Sequence, residues 1–289
     1  MTQELAHPEF VVETAWLADH LNDPGIRVVD CTTHLLPRPG NVLYDVLPGR
    51  ADFEKAHIPG AGFVDMEHDV SRPDPLLHFM LPPAAQFEES MGRLGIGNDT
   101  RVIAYSSANH WWATRMWWLM RAMGHDQVAV LNGGLQKWRA EGRALEAGPA
   151  QAARPAKFTA RPRAGAAVGK EQVLAAMGAR DILTVNALRP DQHAGTGGTS
   201  YGRLGHIKGS VNIAAVNMVD DNNVFKPMAE LRALCRDALQ APKVIAYCGG
   251  GIAATSVTLV LALLGQENVQ VYDASLTEWA ADPALPMET

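Results

Sequence analysis

A chain of 289 residues with 47% hydrophobic and 19% charged residues is long enough for two domains that each bury a core. Its formal net charge of −6 argues against nucleic-acid or anionic-membrane binding, while leaving room for a local basic pocket for a small anion. The opening MTQELAHPEFVVET lacks a secretory pattern, the best apolar run (Val257–Leu264) is too short to span a membrane, and Cys31, Cys235 and Cys248 form no CxxC pair. A cytoplasmic protein without a disulfide framework or metal site is the expectation.

In chain order, RVVD (27–30) and RVIAY (101–105) read as strands, and AAQFEESMGRLG (84–95) and WWATRMWWLMRAM (111–123) as helices. Residues 146–170, rich in Ala, Pro, Gly and Arg, read as linker, with KFT (157–159) laid as a short strand against a neighbour. Beyond it, EQVLAAMG (171–178), MAELRALCRDAL (228–239) and AATSVTLVLALLG (253–265) read as helices, and ILTV (182–185), KVIAY (243–247) and VQVY (269–272) as strands. Continuous apolar strands separated by helices imply an α/β fold with a mainly parallel sheet covered on both faces.

The two halves match in order. VVD at 28–30 pairs with TVN at 184–186, His57-Ile58-Pro59-Gly60 with His206-Ile207-Lys208-Gly209, RVIAYSSANHWWATR (101–115) with KVIAYCGGGIAATS (243–256), and Trp138 with Trp279. A common order of matched segments is the signature of a duplicated domain. The expected division is a first domain over 1–148, a linker over 149–162 and a second domain over 163–289.

At the end of the matched strands RVIAY and KVIAY only the second copy carries a thiol. Cys248 stands between the strand KVIAY and Gly249-Gly250-Gly251, and a helix starts near Ala253. Ligands of parallel α/β sheets sit at the carboxyl ends of strands. A free cysteine, with a pKa of about 8.5, is mostly unreactive thiol at neutral pH. Here the helix start and the glycines are expected to aim N–H groups at the sulfur and favour the thiolate, with Gly249, Gly250, Gly251, Ile252 and Ala253 as the active-site loop. Cys31 and Cys235 read as core residues instead.

The two-domain layout, HIPGA and HIKGSVNI, Arg115-Met116-Trp117-Trp118, LNGGLQKW and the cysteine loop together resemble the tandem-domain rhodanese/3-mercaptopyruvate sulfurtransferase family. The resemblance covers nearly the whole chain. It implies two rhodanese-like domains, the first an inactive copy with Ser106 in place of the cysteine and the second catalytic. It further implies that Cys248 takes a sulfane sulfur from a small donor, becomes a persulfide and passes the sulfur to a thiol, cyanide or protein acceptor, without cofactor or metal. CGGGIAA is more similar to the mercaptopyruvate-type loop CGSGVTA than to the thiosulfate type, whose loop carries basic residues.

Two features depart from the family pattern. Where Asp-Ala-Arg and a second arginine are expected, the chain reads Asn186-Ala187-Leu188-Arg189-Pro190-Asp191-Gln192, and the loop serine is replaced by Gly250. Arg189, Arg203, His206 and His57 are the candidates to bind the donor, with Lys208 and Arg50 as further sources of charge. Cysteine phosphatase chemistry would need an arginine six positions after the cysteine, where Ala254 stands. A phosphate-binding P-loop would need GK[ST] in the glycine turn, which is missing. The remaining alternative is a non-enzymatic sulfur carrier or interaction protein that receives sulfur from a partner protein.

Overall fold

The structure is a computed structural model that describes residues 5–40 and 43–289, so that part of the N-terminal segment considered above, residues 1–4, lies outside the described residues. The first half runs β1 (Val11–Val12), α1 (Thr14–His20), β2 (Ile26–Asp30), β3 (Thr33–Pro37), β4 (Tyr44–Pro48), α2 (Arg50–Lys55), β5 (Gly62–Phe63), α3 (Ala84–Arg93), β6 (Arg101–Tyr105), α4 (His110–Ala122), β7 (Val128–Leu131) and α5 (Gly134–Ala140). The second runs β8 (Ala167–Val168), α6 (Lys170–Ala176), β9 (Ile182–Asn186), α7 (Pro190–His193), β10 (His206–Ile207), β11 (Val211–Asn212), α8 (Met228–Leu234), α9 (Arg236–Gln240), β12 (Lys243–Tyr247), α10 (Ala254–Leu263), β13 (Val269–Tyr272), α11 (Ser275–Trp279) and β14 (Met287–Glu288).

Each half builds a parallel five-stranded sheet, in the order β1-β7-β6-β2-β5 and, correspondingly, β8-β13-β12-β9-β11. Register repeats as well. Asp30 pairs with Tyr105 in the first sheet, and Asn186 pairs with Tyr247 in the second. The central strands β6 and β12 are buried beyond their first residue, as expected of strands covered on both faces. An antiparallel hairpin of β3 and β4 projects from the first domain, and β10 pairs antiparallel with β14 in the second.

The two-residue strands, the β3–β4 hairpin, β7 and the short helices α1, α2, α5, α7 and α11 escape the sequence reading. The helix expected over 228–239 is two helices, broken at Cys235, whose side chain is nevertheless buried as expected. KFT does not form a strand. Asn98 pairs through its side-chain amide with both Thr159 N–H and Thr159 carbonyl, and Phe158 is buried edge-on against Phe87. A side-chain amide thus supplies what a neighbouring strand would have supplied.

Helices α4 and α10, which occupy equivalent places in the two halves, pack against each other across the domain junction. Every residue of α10 is buried, which explains an apolar run without a polar face. Among the described residues no helix is long and apolar enough to cross a membrane. At the junction, the Thr114 hydroxyl lies 2.9 Å from that of Thr255 and 3.0 Å from that of Ser256, so the polar atoms of this contact satisfy one another.

Candidate active site

Cys248 follows the last residue of β12 and is 2% exposed. The turn after it is held by the first residue of α11. The Ser275 hydroxyl accepts hydrogen bonds from the N–H groups of Cys248 (3.0 Å) and Gly251 (3.1 Å) and donates to the Tyr272 carbonyl (2.7 Å). Leu276 N–H binds the Cys248 carbonyl at 3.1 Å, and both the N–H and the hydroxyl of Thr277 bind the Gly249 carbonyl. Gly251 takes φ +76°, a left-handed conformation that glycine adopts without strain. Gly251 N–H is therefore spent on Ser275 rather than turned to the sulfur, contrary to the expectation that all three glycines share one task. The N–H groups of Gly249, Gly250, Ile252 and Ala253 have no protein acceptor among the described residues and remain, with the start of α10, as a patch of positive potential.

The first domain reaches into this loop. Arg115 on α4, fully buried, donates to the Gly251 carbonyl (3.2 Å), to Asp273 Oδ1 (2.7 Å) and to the Phe79 carbonyl, and its guanidinium lies over Trp118. Asp273 Oδ2 in turn accepts Leu81 N–H at 2.7 Å. One ion pair thus ties the cysteine loop to two segments of the other domain.

Gly249 and Gly250 are required for a different reason. A Cβ on Gly249 would fall 1.9 Å from Tyr201 Cζ, and one on Gly250 would fall 2.9 Å from the Tyr44 hydroxyl. Tyr44 begins β4 of the first domain, Tyr201 belongs to the loop after α7, and the two rings meet edge to face at 6.3 Å. Their segments are joined by the Leu43 N–H to Ser200 carbonyl bond (2.9 Å). A cavity of about 150 Å³ opens over Cys248 between these tyrosines, Trp111, Leu188, Ile252 and Arg189. Burial raises both phenol pKa values above their ordinary range, so both hydroxyls stay protonated hydrogen-bond donors.

The rhodanese-like domain family matches residues 13–141 and again residues 171–282. The chain belongs to the rhodanese family. Two full-length relatives support this. The thiosulfate sulfurtransferase of Cricetulus griseus is 34% identical over 93% of the chain and 91% of its own length. The 3-mercaptopyruvate sulfurtransferase of Escherichia coli strain K12 is 33% identical over 94% of the chain and 95% of its own length. The crystal structure of SseA from Escherichia coli, described as a 3-mercaptopyruvate sulfotransferase, superposes with a TM-score of 0.81 at 29% identity, covering 92% of this chain and 98% of that one. Both halves are rhodanese-like domains, and the protein is an enzyme of the sulfurtransferase class.

In this rhodanese frame the sequence-selected residues separate. Cys248, Gly249, Gly250, Ile252, Ala253 and Arg189 line one cavity, with Gln192 beside them. Arg189 is 63% exposed and paired with Asp191 at 3.1 Å. Arg203, His206 and His57 do not line it. Arg203 donates to four backbone carbonyls, those of Trp279, Ala280, Asp282 and Leu285, which fastens the Tyr201 loop to the C-terminal segment. Its charge is consumed by carbonyl dipoles.

The two histidines brace turns. His206 bonds through Nδ1 to the His193 carbonyl (2.7 Å) and stacks on the His193 ring at 3.6 Å. Burial, and then the charge of His206, hold His193 down at about 4. His57 bonds to the Phe53 carbonyl (2.8 Å) and stacks on Phe53. Lys208 is exposed and Arg50 lies over Phe63, so neither offers a charge to the cavity. Sequence reasoning missed Ser275, Tyr44, Tyr201 and the role of Arg115. The last had a signal, an arginine set between the two tryptophan pairs of α4.

In the first domain Ser106 stands where Cys248 stands in the second. Its carbonyl accepts Leu135 N–H at 3.2 Å, repeating the Leu276 bond, but its hydroxyl accepts Ala108 N–H at 3.0 Å. The loop after it is fastened by the Gln136 side-chain amide, which donates to the carbonyls of Ser107 (2.9 Å) and Ala108 (2.7 Å), while Trp111 lines the Cys248 cavity instead.

Proposed function

We propose that this protein moves a sulfane sulfur from a small donor of the 3-mercaptopyruvate or thiosulfate type through a persulfide on Cys248 to a thiol, cyanide or protein acceptor. The observation that carries the reading is the seating of the family's cysteine position at a strand's carboxyl end, beneath a cavity and beside unpartnered N–H groups at a helix start. Residues 1–148 serve as a non-catalytic partner, because Ser106 replaces the thiol while Arg115 and Tyr44 complete the other domain's site.

In the first half-reaction the Cys248 thiolate attacks the donor's sulfur. The new S–S bond forms as the donor's bond to that sulfur breaks, and the donor fragment leaves with the electron pair, as pyruvate after protonation at carbon or as sulfite. In the second, an acceptor thiolate or cyanide takes the outer sulfur and returns Cys248 as thiolate. Patch N–H groups favour the negative charge that rests on sulfur before and after each step. The test is intact-mass analysis after donor treatment. One added sulfur atom is expected in the wild type and none in Cys248→Ser. Failure of the wild type to gain sulfur from mercaptopyruvate, thiosulfate or an organic persulfide would refute the reading.

A further inference from the structure

We infer that Tyr44 and Tyr201, one from each domain, are substrate-contacting residues of the Cys248 site, and that they set its specificity for an organic donor with one negative charge and an apolar body over an inorganic dianion. This rests on the function proposed above. A side chain at position 249 would run into the Tyr201 ring, and one at position 250 would press on the Tyr44 hydroxyl. The loop carries no cation beside the sulfur, and the phenols stand over the two positions from which one would reach it. Neither hydroxyl has a hydrogen-bond partner among the described residues, and both belong to the cavity wall, so their donor capacity is free for a ligand.

Charge on the rest of the wall points the same way. Arg189 is its cation, and it is mostly exposed and already paired with Asp191. The loop's N–H patch compensates one negative charge at the sulfur, and the second charge of a dianion would lose hydration to a wall whose one cation is already paired. Leu35, Trp111, Leu188, Val216 and Ile252 instead offer apolar surface to an organic group. An organic thiosulfonate, R–SO2–S⁻, fits this description. Cys248 thiolate would attack its terminal sulfur, the sulfur–sulfonyl bond would break, and the sulfinate R–SO2⁻ would leave with the electron pair, conserving atoms and charge. Hydroxyl donors from Tyr44 and Tyr201 then meet the sulfonyl oxygens or the terminal sulfur.

The experiment compares kcat/KM of the full chain for thiosulfate, methanethiosulfonate and benzenethiosulfonate with one thiol acceptor. The two thiosulfonates share charge and reacting group, so their ratio reads the apolar body alone. Benzenethiosulfonate is expected to exceed methanethiosulfonate by about tenfold, from burial of the ring, and thiosulfate is expected to be the poorest donor. Tyr44→Phe and Tyr201→Phe keep the rings and unpair no protein group. Each is expected to lower kcat/KM for benzenethiosulfonate roughly tenfold, the loss typical of a hydrogen bond to a charged group. A benzene-to-methane ratio near one, a preference for thiosulfate, or wild-type rates in the double Phe variant would overturn the inference. Sulfur uptake by Cys248 from these donors, followed by mass, stands apart from those ratios, and its absence with every donor would overturn the proposed function itself.

Discussion

The hydroxyl of Ser275, at the first residue of α11, holds the backbone of Cys248, accepting its N–H at 3.0 Å and that of Gly251 at 3.1 Å. Ser275 does so from φ +52°, a left-handed conformation unfavourable to a residue with a Cβ, whereas the matching position of the first domain is Gly134 at φ +51°. The strained serine thus stands in the half that carries the thiol. Ser275→Gly removes the strain and the clamp together, and Ser275→Ala removes only the clamp. Ala is therefore expected to be the less stable variant, by about 1 kcal/mol. Both are expected to lose about tenfold or more in kcat, because two buried N–H groups are released next to the nucleophile. Chemical denaturation and steady-state rates read the two effects separately.

Arg115 and Asp273 have counterparts in the other half that carry no charge, Val257 and Asn132. The contacts are parallel, since Asp273 accepts Leu81 N–H at 2.7 Å and Asn132 Oδ1 accepts Phe225 N–H at 2.9 Å. Arg115→Val leaves a buried carboxylate unpaired and is expected to cost about 3–5 kcal/mol. Arg115→Lys is not expected to rescue it, because an ammonium cannot fork between Asp273, Gly251 and Phe79. The double variant Arg115→Val/Asp273→Asn reproduces the uncharged arrangement and is expected to recover most of the loss. A double-mutant cycle of unfolding free energies checks this, with a coupling near zero as the contrary result.

Asp30, fully buried at the end of β2, has its pKa raised to about 6, first by burial and against its hydrogen bonds from Thr32. The folded state therefore holds this proton more tightly than the unfolded chain. Its contribution to stability is full below about pH 3.8 and is lost as pH rises through about 6. Asn186, at the matching position, shows that an amide suits the fold. Asp30→Asn is expected to remove a pH-dependent loss on the order of 3 kcal/mol over that window. Unfolding free energies of the two proteins plotted against pH should diverge between those limits; parallel curves would refute it.

Much of the fold is legible because its signals are local. The strand–Cys–Gly–helix run can be read directly, and the ordered repeat doubles the evidence for the strands and the helix entry in its matched segments. Val11–Val12, Gly62–Phe63 and Ala167–Val168 are too short to carry a period, and only pairing with longer neighbours defines them. The glycine triplet suggests an open loop, yet Tyr44 and Tyr201 cover it, and no spacing in the sequence reveals a contact between residues so far apart. Arg203 resembles a substrate arginine by composition. Its partners are main-chain carbonyls, which no side-chain pattern announces.

Arg203→Ala tests that reassignment. Removing the guanidinium leaves the carbonyls of Trp279, Ala280, Asp282 and Leu285 without their donor and is expected to cost about 2 kcal/mol. Arg189→Gln, at an exposed pair on the cavity wall, is expected to leave stability within about 0.5 kcal/mol and to raise KM for an anionic donor. Thermal midpoints and KM should therefore move in opposite variants. An Arg203→Ala protein with native stability and a raised KM would return that residue to the site.

Gly249→Ala places a methyl group where the Tyr201 ring lies, with 1.9 Å between Cβ and Cζ. The ring end must move, since the loop is pinned by Ser275, Thr277 and Arg115. The expected cost is about 1–3 kcal/mol of stability from overpacking, with activity falling about a hundredfold as the wall beside Cys248 shifts. Tyr201→Ala alone empties the same space and is expected to retain the loop geometry. In the double variant Gly249→Ala/Tyr201→Ala the clash is gone, so stability should exceed the sum of the two single effects by at least about 1 kcal/mol. Additive losses would mean that Gly249 is needed for its own backbone and not to admit the tyrosine.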